Sequence, residues 1–69
     1  MVVAAASSLT DLAGRLERHL ANPASFGAVI TRVLLRTGVN LREPKPTQVH
    51  DSALVAKVVA ALADMGYPL

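Results

Sequence analysis

Residues 51–65 read DSALVAKVVAALADM, and this stretch decides the fold. Its apolar residues recur at spacings of three and four, so they share one face of a helix. The members of this face are Leu54, Val58, Ala61, Leu62 and Met65. Val55 and Val59 widen the face on one side, which leaves few positions for solvent. Those positions are Lys57, Ala60 and Asp64. A surface helix of a monomer normally has a narrower apolar stripe, so the stretch predicts a helix covered on more than one side.

The length and composition favour a single helical domain over residues 1–69 that needs help to cover its apolar surface. A chain of 69 residues lies near the lower limit for a self-sufficient core. The sequence contains 0 Cys, which excludes disulfides and thiolate metal sites. Hydrophobic residues make up 52% and aromatic residues only 3%, so Ala, Val and Leu must form the helix contacts. Oligomerisation is the expected supplement for a core of this kind.

A first helix is predicted over residues 8–21. Ser8 and Asp11 have the spacing of a capping box, in which a hydroxyl and a carboxylate satisfy amides of the first turn. Asp11 and Arg15 form an i, i+4 ion pair in the favourable order. The alanine-rich lead-in could instead extend this helix toward Val3. A leucine seam runs along one side of the helix, typical of contact with one other helix or a twofold-related copy. Its members are Leu9, Leu12, Leu16 and Leu20.

A second helix is predicted over residues 24–37. Asn22 could cap it with Pro23 at the first helical position, or Ser25 could cap it a turn later. Gly38 should end it in the left-handed conformation. One face is apolar, and we expect Phe26, the only phenylalanine of the chain, to anchor the core. The members of that face are Phe26, Val29, Ile30, Val33 and Leu34. Ala28 and Leu35 lie on the opposite side, which indicates a second buried surface.

The connection between the second and third helices is not helical. Pro44 and Pro46 favour extended backbone. Val39 and Leu41 alternate with polar residues, so a short strand-like stretch against the helices is possible. Asp51 or Ser52 should cap the third helix, with Thr47 as an earlier alternative, and Gly66 should end it. The predicted fold is therefore all-α, a small three-helix bundle with a proline-containing crossover between helices two and three.

No constellation of residues indicates catalysis, a cofactor or a metal. His19 and His50 lie in different elements, and neither has further ligands at metal-binding spacing on its own helix face. His50, Asp51 and Ser52 contain the residue types of a hydrolytic triad. A catalytic site also needs a concave pocket that excludes water, and a chain of this size and composition has little room for one. We predict no enzyme activity, no cofactor and no metal site.

A basic nucleic-acid-binding accessory protein is the alternative function. The net charge is only +2, so the whole chain does not demand a polyanion. The cations of the middle third are nevertheless concentrated around helix two and the following loop. They are Arg32, Arg36, Arg42 and Lys45. Residues 34–40 resemble the turn of a helix-turn-helix, but Pro44 and Pro46 fall where a recognition helix would run.

The function predicted from the sequence is a non-catalytic protein-interaction or oligomerisation module that acts through apolar helix faces. The expected partners are the chain itself, as a homo-oligomer with a dimer as the expected state, and a second, unidentified protein. The predicted contact residues are Leu35, Val55, Val59 and Leu62, with Arg32 and Arg36 at the rim. No run is long enough to cross a bilayer and the apolar start lacks a basic leader, so we predict a cytoplasmic location without membrane contact.

Overall fold

The computed structural model describes residues 7–68 and contains three α-helices. They are α1 (Leu9–His19), α2 (Pro23–Thr37) and α3 (Ser52–Asp64). No strand occurs between residues 7 and 68, and all three pairs of helices are in contact. The predicted all-α three-helix bundle is confirmed, and each helix ends within two residues of its predicted bounds. The alternative start of the first helix near Val3 and the predicted lack of a leader at the apolar start fall on residues 1–6, outside the described range.

The start of α1 is held by its own cap and by the crossover. The Ser8 hydroxyl accepts a hydrogen bond from the Asp11 amide at 3.0 Å. The Asp11 carboxylate accepts from the Ser7 amide at 3.2 Å, one residue earlier than a capping box requires. The same carboxylate lies 3.1 Å from the Arg15 guanidinium. The Leu9 amide donates to the Val49 carbonyl at 2.9 Å, which ties the first turn of α1 to the end of the crossover.

The ends of α2 and α3 follow the predicted signals. The Asn22 side chain caps α2 by accepting from the Ala24 amide at 2.9 Å, with Pro23 at the first helical position. Gly38 ends α2 with φ 75°, a conformation that disfavours any residue with a Cβ. The Asp51 carboxylate caps α3 by accepting the amides of Ala53 and Leu54. These caps are made by residues at the helix ends themselves, so the bounds of α2 and α3 do not depend on tertiary contacts.

The crossover adds a further layer to the core. Val39 and Leu41 are each only 1% exposed, whereas Asn40 and Arg42 between and after them face solvent. The predicted alternation is therefore present, although the backbone forms bends rather than a strand. The crossover then turns toward α3, where the Gln48 amide donates to the Lys45 carbonyl at 2.8 Å.

The core draws on all three helices and the crossover. Its buried apolar residues are Leu9, Leu12, Leu16, Val29, Ile30, Val33, Val39, Leu41, Val55, Val58, Ala61 and Leu62. Most of the leucine seam of the first helix and of the wide face of the third is covered within the chain. The members that stay half-buried are Leu20, Leu54, Val59 and Met65. Val39 and Leu41 of the crossover are buried in the same cluster, so the core contains more apolar side chains than the three helices supply. The homo-oligomer stays a prediction, and its remaining motive is the exposed surface of α2.

Candidate interaction surface

Two leucines of α2 remain exposed in an otherwise well-covered bundle. Leu35 is 81% exposed and Leu34 is 42% exposed, and no other large apolar side chain between residues 7 and 68 is classed as exposed. The cause is their position on the helix. Val33 and Ile30 face the core at 0% and 5% exposure, and Leu35 lies about 160° around the helix axis from Val33. Leu35 therefore points away from the bundle as long as Val33 stays inside it.

Leu35 belongs to a straight row of exposed, mostly apolar residues, which we call the outer seam. The outer seam consists of Ala24, Ala28, Thr31 and Leu35, all of them exposed. The spacing i, i+4, i+7 and i+11 places these side chains on one side of α2. The Thr31 hydroxyl donates to the Gly27 carbonyl at 3.0 Å. A partner could therefore cover Thr31 without leaving its hydroxyl unpaired.

Arginines border the outer seam on one side. Arg32 and Arg36 are both exposed and lie at i, i+4 on α2. The helix contains no acidic residue, and neither arginine forms a salt bridge with any residue of the described part of the chain. Two like charges at this spacing repel each other. The rim of the seam is thus a pair of uncompensated cations.

The predicted contact residues on α3 belong to the interior instead. Leu62 is 0% exposed and Val55 is 7% exposed, and the half-buried Val59 packs against the core. A side chain without exposed surface cannot contact a partner while the bundle stays folded. Of the six predicted contact residues, the structure therefore exposes only Leu35, Arg32 and Arg36 on one surface. The solvent side of α3 carries smaller or polar residues, namely Ala53, Ala56, Lys57, Ala60, Ala63 and Asp64.

A shallow groove next to the outer seam brings α2 and α3 together. Its lining residues are Arg36, Thr37, Lys57, Ala60, Ala61 and Asp64. Arg36 lines this groove and also borders the seam, so the two features are continuous. Lys57 adds a cation to the same surface. Its exposure could be predicted, because it is one of the few positions of the third helix that face solvent. Ala24 and Thr31 were also missed, although they share the spacing of Ala28 and Leu35.

Arg42 lies on a different side of α2. Its guanidinium carbon is 5.3 Å from the centre of the Phe26 ring, a cation–π contact. A Cβ built on Gly27 would lie 3.2 Å from an Arg42 nitrogen. The neighbour of Gly27 is therefore the Arg42 side chain. Phe26 is half-buried and packs against the core from its edge, so it contributes to the core without being enclosed by it.

The four cations of the nucleic-acid alternative do not lie in one row. Gly27, which Arg42 approaches, is about 140° around the α2 axis from Arg32. Arg36 follows Arg32 on the side of the α3 groove, and Lys45 is exposed in the crossover turn. A polyanion that contacts Arg32 and Arg36 would therefore approach α2 from a different direction than one that contacts Arg42.

His19 and Asp51, two of the residues considered for a metal site or a hydrolytic triad, make structural contacts. The His19 ring meets the Tyr67 ring edge-on at a centroid distance of 6.1 Å. The Asp51 carboxylate is used to cap α3. Within residues 7–68, no group of three or more histidine or acidic side chains lies close enough together to hold a metal ion.

Comparisons of the chain with protein-family models, with curated proteins and with solved structures found no match. Across residues 7–68, none of the helices combines the length and the apolar character needed to cross a membrane. The residues of α2 and of its groove with α3 are therefore the observations that bear on function.

Proposed function

We propose that this chain is a non-catalytic protein-interaction module that binds its partner through the outer seam of α2. The observation that carries the proposal is the 81% exposure of Leu35. Burying a leucine side chain contributes about 1.5–3 kcal/mol, so a leucine in this position gives a partner a large share of the binding free energy. A single exposed leucine is common on protein surfaces. Here it ends a row of small exposed residues and is bordered by two arginines.

The composition of this surface matches the usual anatomy of a protein interface. Apolar anchors lie at the centre of such interfaces, and arginine is enriched there relative to the rest of the surface. The outer seam supplies the apolar row, and Arg32 and Arg36 supply the rim. Val33 on the opposite side of α2 is fully buried and holds the helix against the core. The seam therefore needs no rearrangement of α2 before it binds a partner.

The partner is proposed to be another protein, with a second copy of the chain as the competing occupant. A homodimer would use this same surface, since it holds Leu35, the more exposed of the two large apolar side chains that the described part of the chain leaves exposed. The sequence contains 0 Cys, which suits a reducing compartment, and the cytoplasm is the proposed location.

Site-specific cross-linking tests this proposal. A photo-reactive amino acid is placed at Leu35 in the full chain, and in a matched control at Thr10, which is exposed on α1. Illumination of the pure protein and of a cell extract should give adducts from position 35 and none from position 10. An adduct in the pure protein identifies a second copy, and an adduct only in extract identifies another chain. Absence of adducts from position 35, or equal yields from both positions, would refute the proposal.

A further inference from the structure

We infer that the outer seam of α2 receives an acidic amphipathic helix of a different protein, and not a second copy of this chain. The inference rests on the proposed function and adds the chemistry of the partner. It depends on three features of the described surface: the straightness of the seam, the sign of the charges around it, and the absence of an acidic residue on α2 that could answer those charges in a self-paired dimer.

The shape of the seam suits a helix. From Ala24 to Leu35 the row spans eleven residue steps, about 16 Å along the axis. A row of this kind is matched by the row of side chains along a second helix that lies nearly parallel to it. The small side chains of Ala24 and Ala28 allow a close approach at one end. Leu35 protrudes at the other end, where the partner needs a complementary gap between its own apolar residues.

The charges around the seam select an acidic partner. Arg32 and Arg36 lie beside it, and Lys57 lies across the adjoining groove. Asp64 is the only acidic residue that lines this groove. Three cations against one carboxylate leave a local charge of +2, counted as 3 − 1 over the groove lining plus Arg32. Carboxylates that flank the apolar row of a partner helix could accept hydrogen bonds from the two α2 arginines, which form no salt bridge within the described part of the chain.

A second copy fits this surface poorly. A twofold interface places the same patch of both subunits face to face. When the two copies of α2 run antiparallel, the arginines of both lie on the same side of the contact. α2 has no carboxylate to pair with them, and Asp64 is the only acidic residue that lines the adjoining groove. A nucleic acid would satisfy the arginines but would leave Leu35 uncovered. The described aromatic residues, Phe26 and Tyr67, lie away from the seam and offer no stacking platform beside it.

Two synthetic helical peptides test the inference directly. They share one alanine and leucine seam and one length, and they differ only in carrying glutamate or lysine at the flanking positions. Each is titrated into the isotopically labelled full chain, and amide shifts are followed by NMR. We expect the glutamate peptide to shift the amides of residues 24–36 and to bind about tenfold more tightly than the lysine peptide. Raising the salt concentration should weaken its binding.

Variants assign the effect to named residues. Arg32→Glu together with Arg36→Glu should reverse the preference, so that the lysine peptide binds more tightly. Arg18→Glu, a matched reversal at an exposed arginine of α1, should leave the preference unchanged. Leu35→Ser should weaken binding of the glutamate peptide about tenfold, and Leu34→Ser should weaken it less. Circular dichroism checks that each variant keeps its helices.

The outcomes separate this inference from the proposed function. Equal binding of both peptides to the seam would refute the acidic partner and leave the interaction surface standing. Failure of both peptides to shift residues 24–36 would also refute the inference, and the cross-linking from position 35 then decides the proposed function separately. A doubled mass of the free chain that excludes the peptide, or duplex DNA that displaces it from the same amides, would equally overturn the inference.

Discussion

The leucines of α1 and α2 differ in solvent exposure. The three leucines of α1, Leu9, Leu12 and Leu16, have no exposed surface, whereas the two leucines of α2, Leu34 and Leu35, are 42% and 81% exposed. Hydrophobicity is the same at every one of these positions, so it cannot be the cause. The α1 leucines follow each other at spacings of three and four and therefore share one side of the helix. The α2 leucines are adjacent, which places them about 100° apart.

The core side of α2 is already occupied by branched residues. Val29, Ile30 and Val33 fill it at exposures of 3%, 5% and 0%. The α2 leucines are consequently additional to the apolar residues that the bundle needs. The leucines of α1 therefore contribute to the core, whereas the leucines of α2 are left exposed, and Leu35 is available to the proposed partner.

The same substitution on both helices gives the strongest test of this comparison. Leu12→Ala removes a side chain with 0% exposure and should lower the free energy of unfolding by about 2–5 kcal/mol. Leu35→Ala, at 81% exposure, should change it by no more than about 0.5 kcal/mol. Urea denaturation followed by circular dichroism measures both values.

For a chain of this size, the loss expected from Leu12→Ala is a large part of the total stability. If Leu35→Ala destabilised the chain as much as Leu12→Ala does, Leu35 would be covered in solution. In that case the contrast between the two helices would disappear, and a second chain on α2 would be part of the folded state.

The helices themselves could be predicted from sequence because their signals are local. Ser8, Asn22 and Asp51 each cap a helix with a side-chain oxygen that accepts amides of the first turn. Gly66, with φ 90°, ends α3, and the Tyr67 amide donates to the Leu62 carbonyl at 2.8 Å, as in a Schellman motif. None of these contacts spans more than five residues, so the pattern along the chain contains them.

The candidate surface could be predicted only in part, because exposure depends on what covers each face. Leu35 was found from its position opposite Phe26. Val55 and Leu62 are instead buried in the core, where α3 packs against α1 and α2 and where Val39 and Leu41 of the crossover also lie. Composition and periodicity do not report where a proline-containing segment will lie. The same limit explains why Lys57 was not placed beside Arg36.

Substituting alanine for one glycine in each helix region should change the free energy of unfolding with opposite sign for α1 and for the end of α2. Gly38 ends α2 with φ 75°, and no atom lies within 4 Å of a Cβ built on it. Gly38→Ala should therefore cost about 1 kcal/mol through backbone conformation alone. Gly14 lies inside α1, where an added Cβ would meet an Arg18 nitrogen at an ordinary 3.7 Å. Gly14→Ala should raise the free energy of unfolding by about 0.5–1 kcal/mol.

Thermal unfolding of both glycine variants against the parent chain provides the measurement. A loss of stability in Gly14→Ala would show that α1 approaches another part of the chain more closely than the structure has it. A gain in Gly38→Ala would show that α2 does not end in a left-handed residue.

The smallest expected change in the free energy of unfolding comes from reversing a charge on α2, and it bears most directly on the proposed partner. Arg32 and Arg36 repel each other at i, i+4 without an acidic neighbour on the helix. Arg32→Glu replaces this repulsion with an attractive pair in the favourable order, each change contributing about 0.2–0.5 kcal/mol. The variant should therefore be more stable than the parent chain by about 0.4–1 kcal/mol, and added salt should reduce the gain.

Lys57→Glu is the matched control, because Lys57 has no charged residue at i±3 or i±4 on α3, and it should change the free energy of unfolding by less than about 0.5 kcal/mol. A gain for Arg32→Glu that the control lacks would mean that Arg32 is held on the surface at a cost to folding. A side chain that weakens its own helix and forms no salt bridge in the described bundle would agree with the proposed acidic partner helix, whose carboxylate would pair with it. A loss of stability in Arg32→Glu would instead mean that Arg32 serves the fold, and the distinction between a helix for the core and a helix for the partner would no longer hold for its charges.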